Sequence, residues 1–365
     1  MRIVVVGGFL GAGKTTLLWD AAQRLMSRGR KVGLITNDQA PDLVDTALLL
    51  GKGLDVREVA GSCFCCDFDG FTRAVGELKE VVRADVLLAE PVGSCTDLAA
   101  TLLRPLRDRV PEEVVVSPLS VLVDPFRARE IFSGSGGGMH PSTAYIFRKQ
   151  MEEADRILVN KADLLPRDEL GEIRERISRE YPRVRNLPLS SRTGEGVDAW
   201  LEEILSGRHA GASLSDIDYD VYAEGEAALG WLNAEIRIAA PSGPLGNGEA
   251  ACRFLMEGLR DAFRLRNAPV GHVKLLMEGN GGQVVSNLTR THGEVEVRGG
   301  LPEVPEARMV LNARVEMPPR PLERVVLEQL DRLAFDGLDV RILHLRVFSP
   351  ARPVPTHRYP AAAKE

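Results

Sequence analysis

The chain has 365 residues, of which 44% are hydrophobic, and a formal net charge of −6 at pH 7. This length suits two domains with packed cores. The absence of a long Lys/Arg run argues against nucleic acid as the main partner, and no apolar stretch approaches the roughly 20 residues of a membrane span. An apolar strand pattern begins at once, so we expect no signal peptide and a cytoplasmic protein without a membrane partner.

The first two-thirds of the chain alternates apolar runs with helical patterns. Continuous Val/Ile/Leu runs are typical of strands buried on both faces, so the order predicts an α/β fold with a doubly wound, mostly parallel sheet. The predicted strands are Arg2–Val6, Lys31–Thr36, Asp55–Val59, Asp85–Ala89, Val114–Val123, Arg156–Asn160 and Asn186–Ser190. The predicted helices are Thr15–Arg28, Phe71–Val82, Thr96–Arg107, Thr143–Glu153, Arg167–Glu180 and Gly196–Leu205, with a flexible loop at Gly134–Gly138.

A stretch rich in Gly, Ser and Asp separates this part from the rest. It predicts a first domain over 1–205, a linker over 206–221, a smaller α+β domain over 222–349 and a loose Pro-rich tail over 350–365. The order of the second domain is that of a ferredoxin-like βαββαβ fold with an added strand. Its predicted elements are Ala228–Ile238, Glu249–Arg266 (helix), His272–Glu278, Gln283–Leu288, Met309–Val315, Pro321–Ala334 (helix) and Arg341–Phe348.

The segment GFLGAGKT at residues 8–15 lies between the first strand and the first helix. It fits the P-loop pattern G-x-x-x-x-G-K-[ST], in which backbone N–H groups and the positive end of a helix surround a phosphate chain. Lys14 can reach the β- and γ-phosphates, and the Thr15 hydroxyl can bind Mg²⁺. The alternative is a Gly-rich turn. The residues predicted to hold phosphate are Gly8, Gly11, Ala12, Gly13, Lys14, Thr15 and Thr16.

At the end of the sixth predicted strand stands Asn160-Lys161-Ala162-Asp163. In P-loop proteins N-K-x-D after a strand indicates guanine, because the carboxylate accepts from the base N1–H and the exocyclic amine. Adenine would leave Asp163 unpaired. Ser190 and Ser191 follow the seventh strand and are predicted to close over the base; an ordinary strand-to-helix turn is the alternative.

Polar residues also follow the second and fourth strands. Glu90 and Gly93 end the fourth strand, where Mg²⁺ and the attacking water are expected, with the Gly93 N–H toward the γ-phosphate. Asp38 is a further Mg²⁺ candidate, and Gln39 a weaker candidate for orienting water. Capping of the next helix is the alternative role of Glu90. The predicted catalytic residues are Lys14, Asp38 and Glu90, and the predicted Mg²⁺ ligands are Thr15, Asp38 and Glu90.

Three of the five cysteines lie within four residues, after the third strand: Cys63, Cys65 and Cys66. Three soft thiolates suit Zn²⁺ or Co²⁺ and leave one position open, which a dimer partner or a client protein could fill. The alternatives are small buried residues or a redox pair. Cys95 follows Gly93 closely and could approach the same edge, although such a cysteine is more often part of the core.

With these motifs in place, residues 1–205 resemble the CobW-like branch of the CobW/HypB/UreG P-loop GTPases. The resemblance rests on GGFLGAGKTTLL, the CxCC at Cys63–Cys66, the ExxG at Glu90–Gly93 and QMEEADRILVNKADLL. It implies GTP hydrolysis coupled to delivery of a metal ion, or of a metal cofactor such as cobalamin, to a target protein. It also implies the roles given above for the P-loop, the carboxylates, the cysteines and N-K-x-D. No His-rich tract occurs, which argues against bulk metal storage.

The leading hypothesis is therefore a GTPase with Mg²⁺–GTP and Zn²⁺ or Co²⁺, acting on a client metalloprotein or a cofactor-dependent enzyme, with a homodimer as one option. Two alternatives stay open. One is a GTP-dependent regulatory switch whose cysteines are structural. The other is a small-molecule phosphotransferase on the P-loop fold, which N-K-x-D disfavours.

Overall fold

A computed structural model describes residues 1–38, 44, 54–134, 138–206, 213–241, 243, 245–335 and 337–360. The strands are β1 Arg2–Gly8, β2 Val32–Asp38, β3 Asp55–Ala60, β4 Val86–Glu90, β5 Val115–Val116, β6 Ser120–Val123, β7 Arg156–Val159, β8 Arg185–Pro188, β9 Gly230–Ala239, β10 Val270–Gly279, β11 Gly282–Leu288, β12 Glu296–Gly300, β13 Glu306–Val315 and β14 Asp339–Phe348. The α-helices are α1 Lys14–Ser27, α2 Phe68–Glu77, α3 Arg104–Arg109, α4 Pro125–Phe132, α5 Pro141–Glu152, α6 Arg167–Glu180, α7 Val197–Ser206, α8 Tyr219–Ala227, α9 Gly248–Leu265 and α10 Pro319–Phe335.

The first sheet is parallel, in the order β3-β2-β4-β1-β6-β7-β8, with β5 also on β1. Successive residues of β1 face opposite sides. Ile3 and Val5 join an apolar core with α2 to α6, whereas Val4 and Val6 join a second core with α1 and α7. Helices therefore cover both faces, and the prediction of a doubly wound parallel sheet is confirmed.

The second sheet is antiparallel, in the order β12-β11-β10-β13-β9-β14. Four of its strands, in the order β10-β13-β9-β14, form a ferredoxin-like unit with α9 and α10. The β11–β12 hairpin extends the sheet beyond β10. The α+β prediction is confirmed. The sequence analysis missed β12, because Glu296–Gly300 is mostly polar, Gly-rich and largely exposed, so it carries no apolar alternation.

Two predicted elements differ in detail. The predicted strand Val114–Val123 is divided into β5 and β6, since Pro118 between them has no N–H to give to a strand ladder. The predicted helix Thr96–Arg107 begins as a π-helical turn at Ala99–Leu103 and becomes α-helical only in α3. Pro105 supplies no N–H to the preceding turn, which favours the wider turn.

Several contacts run across the boundaries predicted from composition. Helix α8 packs against α5 so closely that a Cβ on Gly225 would lie 2.4 Å from the Ser142 oxygen of the backbone. Trp231 of β9 belongs to the core of the first sheet. In the predicted tail, the Thr356 N–H donates to the Cys65 carbonyl at 2.8 Å. The division into domains and the cytoplasmic location stay predictions; within the described ranges no helix is long and apolar enough to cross a membrane.

Candidate nucleotide and metal site

The P-loop turns into α1 at Gly13. Gly13 has φ 100°, in the left-handed region, and a Cβ there would lie 2.4 Å from Nδ2 of Asn160. Only glycine fits this position without strain. The next side chain, Lys14, folds back so that its Nζ donates to the Gly8 carbonyl at 2.8 Å. Lys14 therefore lies over the P-loop backbone, at the position that a phosphate chain would take.

A carboxylate from β4 reaches the P-loop. The Thr15 hydroxyl donates to Oε1 of Glu90 at 3.1 Å, and Nζ of Lys14 lies 3.9 Å from the same oxygen. All three residues are less than a tenth exposed. A hydroxyl and a carboxylate side by side are the hard oxygen donors that Mg²⁺ prefers, so this pair fits a Mg²⁺ ion beside the P-loop.

Gly93 follows Glu90 and lies against the same lysine. A Cβ on Gly93 would lie 3.1 Å from Nζ of Lys14 and 2.7 Å from Cδ2 of Leu10, so the backbone itself approaches the P-loop. The side chain of Asp38, and the whole of Gln39, lie outside the described residues.

The N-K-x-D loop supports the P-loop as well as the base position. Nδ2 of Asn160 donates to the Ala12 carbonyl at 2.7 Å, and Oδ1 of Asn160 accepts from the Ser191 N–H at 2.9 Å. Lys161 has a positive φ of 57°, and its Nζ lies 2.6 Å from Oδ2 of Asp124. Asn160 thus ties the phosphate loop to the loop after β8.

Both carboxylate oxygens of Asp163 have partners. Ser190 donates from its hydroxyl to Oδ1 at 2.6 Å, and Nη2 of Arg192 lies 2.5 Å from Oδ2. Arg192 was not assigned a role from sequence; only its place in the loop after β8 hinted at one. A base that hydrogen-bonds to Asp163 has to exchange with this guanidinium.

One cavity joins the P-loop, the N-K-x-D loop and the second sheet. Of the predicted nucleotide residues, the cavity is lined by Gly11, Gly13, Lys14, Thr15, Thr16, Glu90, Gly93, Asn160, Lys161, Asp163 and Ser191. Gly8, Ala12 and Ser190 do not line it and act through the hydrogen bonds given above. The second sheet contributes His272, Lys274 and Arg314, which the sequence analysis did not place here.

His272 lies among positively charged side chains. Burial lowers the pKa of the His272 imidazole well below its usual value, and Lys274, Arg314, Lys14 and Arg127 lower it further. The ring is therefore neutral at pH 7. Of these four cations, Lys14, Lys274 and Arg314 line the cavity.

Arg127 of α4 fastens the second sheet over the P-loop. Its guanidinium donates to the Val270 carbonyl at 3.0 Å and to the Thr289 carbonyl at 2.7 Å. The fit is close, since a Cβ on Gly11 would lie 2.9 Å from Cβ of Thr289. Arg127 is 3% exposed, and this buried cation satisfies backbone carbonyls that would otherwise lie unpaired between the sheets.

The three cysteines after β3 come together. The sulfur of Cys63 lies 2.8 Å from that of Cys65 and 3.1 Å from that of Cys66, and all three sulfurs lie within 4.8 Å of one another. Zn–S bonds of about 2.3 Å in a tetrahedron set sulfurs about 3.8 Å apart, so the two shorter pairs have to widen by up to about 1 Å for the three to share one such ion. Cys63 and Cys65 are buried, whereas Cys66 is partly exposed.

The thiols differ in acidity. Hydrogen bonds from Cys65, Cys66 and Cys95 hold the pKa of Cys63 well below its usual value. The hydrogen bond with Cys63 raises the pKa of Cys66 to about 11. The cluster therefore favours one thiolate, at Cys63, with its neighbours still protonated.

Asn37, the next-to-last residue of β2, connects the two sites. It lines the cavity, and its Nδ2 donates to the Val59 carbonyl at 2.8 Å and to the Ser62 carbonyl at 2.7 Å. Its Oδ1 accepts from the Phe64 N–H at 2.9 Å, inside the CxCC segment. The cysteine loop and the P-loop thus lie at the carboxyl edge of one sheet, and Asn37 both lines the nucleotide cavity and bonds to the cysteine loop.

Residues 2–187 match the nucleotide-binding domain of the CobW/HypB/UreG family. The chain belongs to this family. It is 25% identical over 329 residues to the zinc chaperone CobW of Sinorhizobium sp., covering 81% of this chain and 89% of that protein. It is 28% identical over 170 residues to the zinc chaperone YeiR of Escherichia coli K12, covering 44% and 47%.

Two solved structures match the chain at low identity and low TM-score. Zn(II)-bound YjiA GTPase from E. coli is 16% identical, with 90% of this chain and 98% of that chain covered and a TM-score of 0.38. HypB from Helicobacter pylori in complex with nickel is 16% identical, with 59% and 90% covered and a TM-score of 0.41.

Proposed function

We propose that this family member binds and hydrolyses GTP and couples hydrolysis to transfer of a zinc-type metal ion to a client protein. The observation that carries the proposal is the amide of Asn37, which lines the nucleotide cavity and makes one hydrogen bond to the end of β3 and two to the cysteine loop that follows it. A ligand that moves the end of β2 would change the geometry of the thiols. Similarity to proteins named zinc chaperones supports zinc as the cargo.

For hydrolysis, Lys14 and the P-loop N–H groups would hold the β- and γ-phosphates, and Asp163 would read guanine. Thr15 and Glu90 would hold Mg²⁺, which when bound neutralises charge that develops on the phosphates. Lys274 and Arg314 of the second sheet add positive charge on the opposite wall. With nucleotide bound, this wall would cover the phosphates and exclude water from them. A drier site strengthens each of these electrostatic interactions.

For transfer, the cysteine loop would carry the ion as cargo. Cys66 is the partly exposed thiol of the three, so it offers the route by which a thiolate of another protein could reach the ion. Zinc is redox-inert, and exchange of one thiolate ligand for another requires only a proton balance. The client could be a metalloprotein or a cofactor-dependent enzyme, and a second copy of this chain could also complete the site.

The test is the zinc affinity of the full chain, measured by chelator competition with a non-hydrolysable GTP analogue and with GDP. We expect affinities that differ by about tenfold, within the usual range of allosteric coupling. Asn37→Ala should reduce the ratio toward one. Asn186→Ala is the matched control, since Asn186 is also a buried amide but lies on β8, where it bonds to Arg174. Equal zinc affinities with both nucleotides in the unaltered chain would remove the coupling.

The two alternatives give different results. A regulatory switch with structural cysteines keeps nucleotide-dependent partner binding after Cys63, Cys65 and Cys66 are all changed to Ser. A phosphotransferase converts GTP steadily to GDP only when an acceptor molecule is present, because the γ-phosphoryl group goes to that acceptor and not to water. GTP turnover without an acceptor would therefore count against it.

A further inference from the structure

We propose that the segment after β14, residues 352–359, is a strap over the cysteine loop, and that a client protein reaches Cys66 only when this strap moves away. The inference rests on the proposed function, because it concerns access to the thiols that would carry the metal. It adds a means of control, in which the chain covers its own transfer site.

The strap lies directly on the CxCC segment. The Thr356 N–H donates to the Cys65 carbonyl at 2.8 Å, and the Thr356 hydroxyl donates to the Cys66 carbonyl at 3.0 Å. Two residues earlier, the backbone of Val354 also hydrogen-bonds to Cys66. Since Cys66 is the partly exposed thiol of the three, the strap runs beside the thiol that another protein would meet first.

The far end of the strap has a firm anchor. Nε of Arg358 lies 2.7 Å from Oδ2 of Asp97, a residue that is 1% exposed and that also accepts from the Tyr219 hydroxyl at 2.9 Å. The Tyr359 N–H donates to the Ala100 carbonyl at 3.0 Å. Loss of the guanidinium would leave the buried Asp97 carboxyl without this cation, so Arg358 fixes the end of the strap.

The part of the strap before this anchor is held more weakly. It forms neither helix nor strand, and of residues 352–359 only Pro353 is buried. Arg352 pairs with Asp220, but both side chains are more than half exposed, so this ion pair contributes little. A segment that buries little apolar surface opens at a low cost in free energy, and the strap can leave the cysteine loop while both sheets stay folded.

A strap of this kind selects partners by size and by hydrogen bonding. Cys66 is partly exposed with the strap in place, so a small molecule reaches its thiol, whereas a folded protein needs the space that the strap occupies. A client that offers its own N–H donors to the carbonyls of Cys65 and Cys66 replaces the hydrogen bonds of Thr356. Proteins without such donors do not displace the strap, which favours transfer to the correct client.

The test compares two reagents with the same reactive group on the full, metal-free chain: N-ethylmaleimide, and a maleimide on a polyethylene glycol chain. Peptide mapping gives the rate at Cys66, and each rate is divided by that of the denatured chain. In the unaltered chain we expect the bulky reagent to react at least about tenfold more slowly, because an open state populated at about 10% or less limits it.

Two variants should remove this difference. Arg358→Gln removes the anchor, and Thr356→Pro removes both donors to the cysteine loop. Each should bring the two rates together by raising the rate of the bulky reagent alone, whereas a change in thiol acidity would alter both rates equally. Arg129→Gln is the matched control, since it breaks an arginine–carboxylate pair at 2.8 Å on α4, and it should keep the difference.

The outcomes separate this inference from the proposed function. Equal rates with both maleimides in the unaltered chain, or a difference that both strap variants keep, would overturn the strap and leave the chaperone proposal standing. Unaltered protein that binds zinc no better than Cys63→Ser would overturn the proposed function itself, and the maleimide rates need neither zinc nor GTP. If one strap variant fails to fold, the other variant and the unaltered chain still decide the question.

Discussion

The nucleotide cavity and the cysteine cluster share one sheet edge but consist of different kinds of side chain. The cavity is made of charged side chains already paired with each other, as in Lys14 with Glu90 and Arg192 with Asp163. The cluster is made of thiols in an apolar surrounding that includes Phe64, which is fully buried. A nucleotide therefore enters by exchanging ionic partners, whereas a metal enters by displacing protons.

The largest expected effects come from two single variants, one that removes a side chain of the nucleotide cavity and one that removes a thiol of the cysteine cluster. Lys14→Ala should weaken GTP binding about a hundredfold or more, because it removes a buried cation and leaves Glu90 without this partner. Its zinc affinity without nucleotide should change less than about twofold, since additivity holds for sites that share no partner. Cys63→Ser should show the reverse pattern. Isothermal titration with each ligand measures both.

The contrast between the nucleotide cavity and the cysteine cluster fails if each variant weakens the binding of both ligands. Lys14→Ala that loses zinc and GTP together, while melting at the temperature of the unaltered chain, would mean that the two sites are one cooperative unit even in the absence of nucleotide.

A smaller effect is expected where the base meets Asp163. Asp163→Asn should weaken GTP binding about tenfold to a hundredfold, because a charge-assisted hydrogen bond contributes about 1.5–3 kcal/mol, and it should reduce the preference over ATP. Arg192→Ala should instead tighten GTP binding up to about fivefold. The Arg192 side chain is 48% exposed, so its ion pair is worth little, and its removal frees Asp163 for the base.

Competition binding with a fluorescent guanine nucleotide checks both changes. Arg192→Lys is the matched control, since it keeps the charge but not the planar fork of the guanidinium. Weaker GTP binding in Arg192→Ala would show that this arginine contacts the nucleotide instead of competing with it.

The first domain could be predicted from sequence because its signals are local. The P-loop, N-K-x-D and CxCC segments are continuous, and each follows a predicted strand; the strands before the P-loop and N-K-x-D contain unbroken apolar runs. Since the strands of a parallel sheet end at one edge, the order of elements was enough to place these segments together. The family resemblance added the expected roles, and the fold was confirmed.

What could not be predicted depends on packing between distant parts. Nothing in the sequence around His272 or Lys274 shows that β10 lies over the P-loop, because alternation places a residue on a face but does not say what covers that face. Arg192 lies in a strand-to-helix turn whose sequence resembles that of any turn before a helix, so its role could not be predicted. The path of Thr356 along the cysteine loop is set by two hydrogen bonds with no sequence pattern.

The smallest expected effect on ligand binding concerns Glu153, the residue that follows α5. Its buried carboxyl accepts from the Ala99 N–H at 2.9 Å and from the Thr96 hydroxyl at 3.1 Å, in the segment after Cys95. Burial raises the pKa of Glu153 to about 8. The folded state thus keeps a proton that the unfolded chain releases above about pH 4.5, so this group lowers stability progressively as pH rises toward 8.

Glu153→Gln keeps the shape and removes the titration. Between pH 5 and 8 the melting temperature of the unaltered chain should fall by roughly 10 °C relative to that of the variant, because a pKa raised from 4.5 to about 8 lowers stability by about 3–4 kcal/mol over this range. Each kcal/mol shifts the melting temperature of a domain of this size by about 2–4 °C. Glu175→Gln, an exposed change on α6, should show no such difference. Nucleotide affinity should stay equal in all three proteins, because Glu153 bonds to the Cys95 segment and does not line the nucleotide cavity. A pH-independent gap between the melting curves of Glu153→Gln and the unaltered chain would mean that this carboxyl is already charged in the folded state at pH 5.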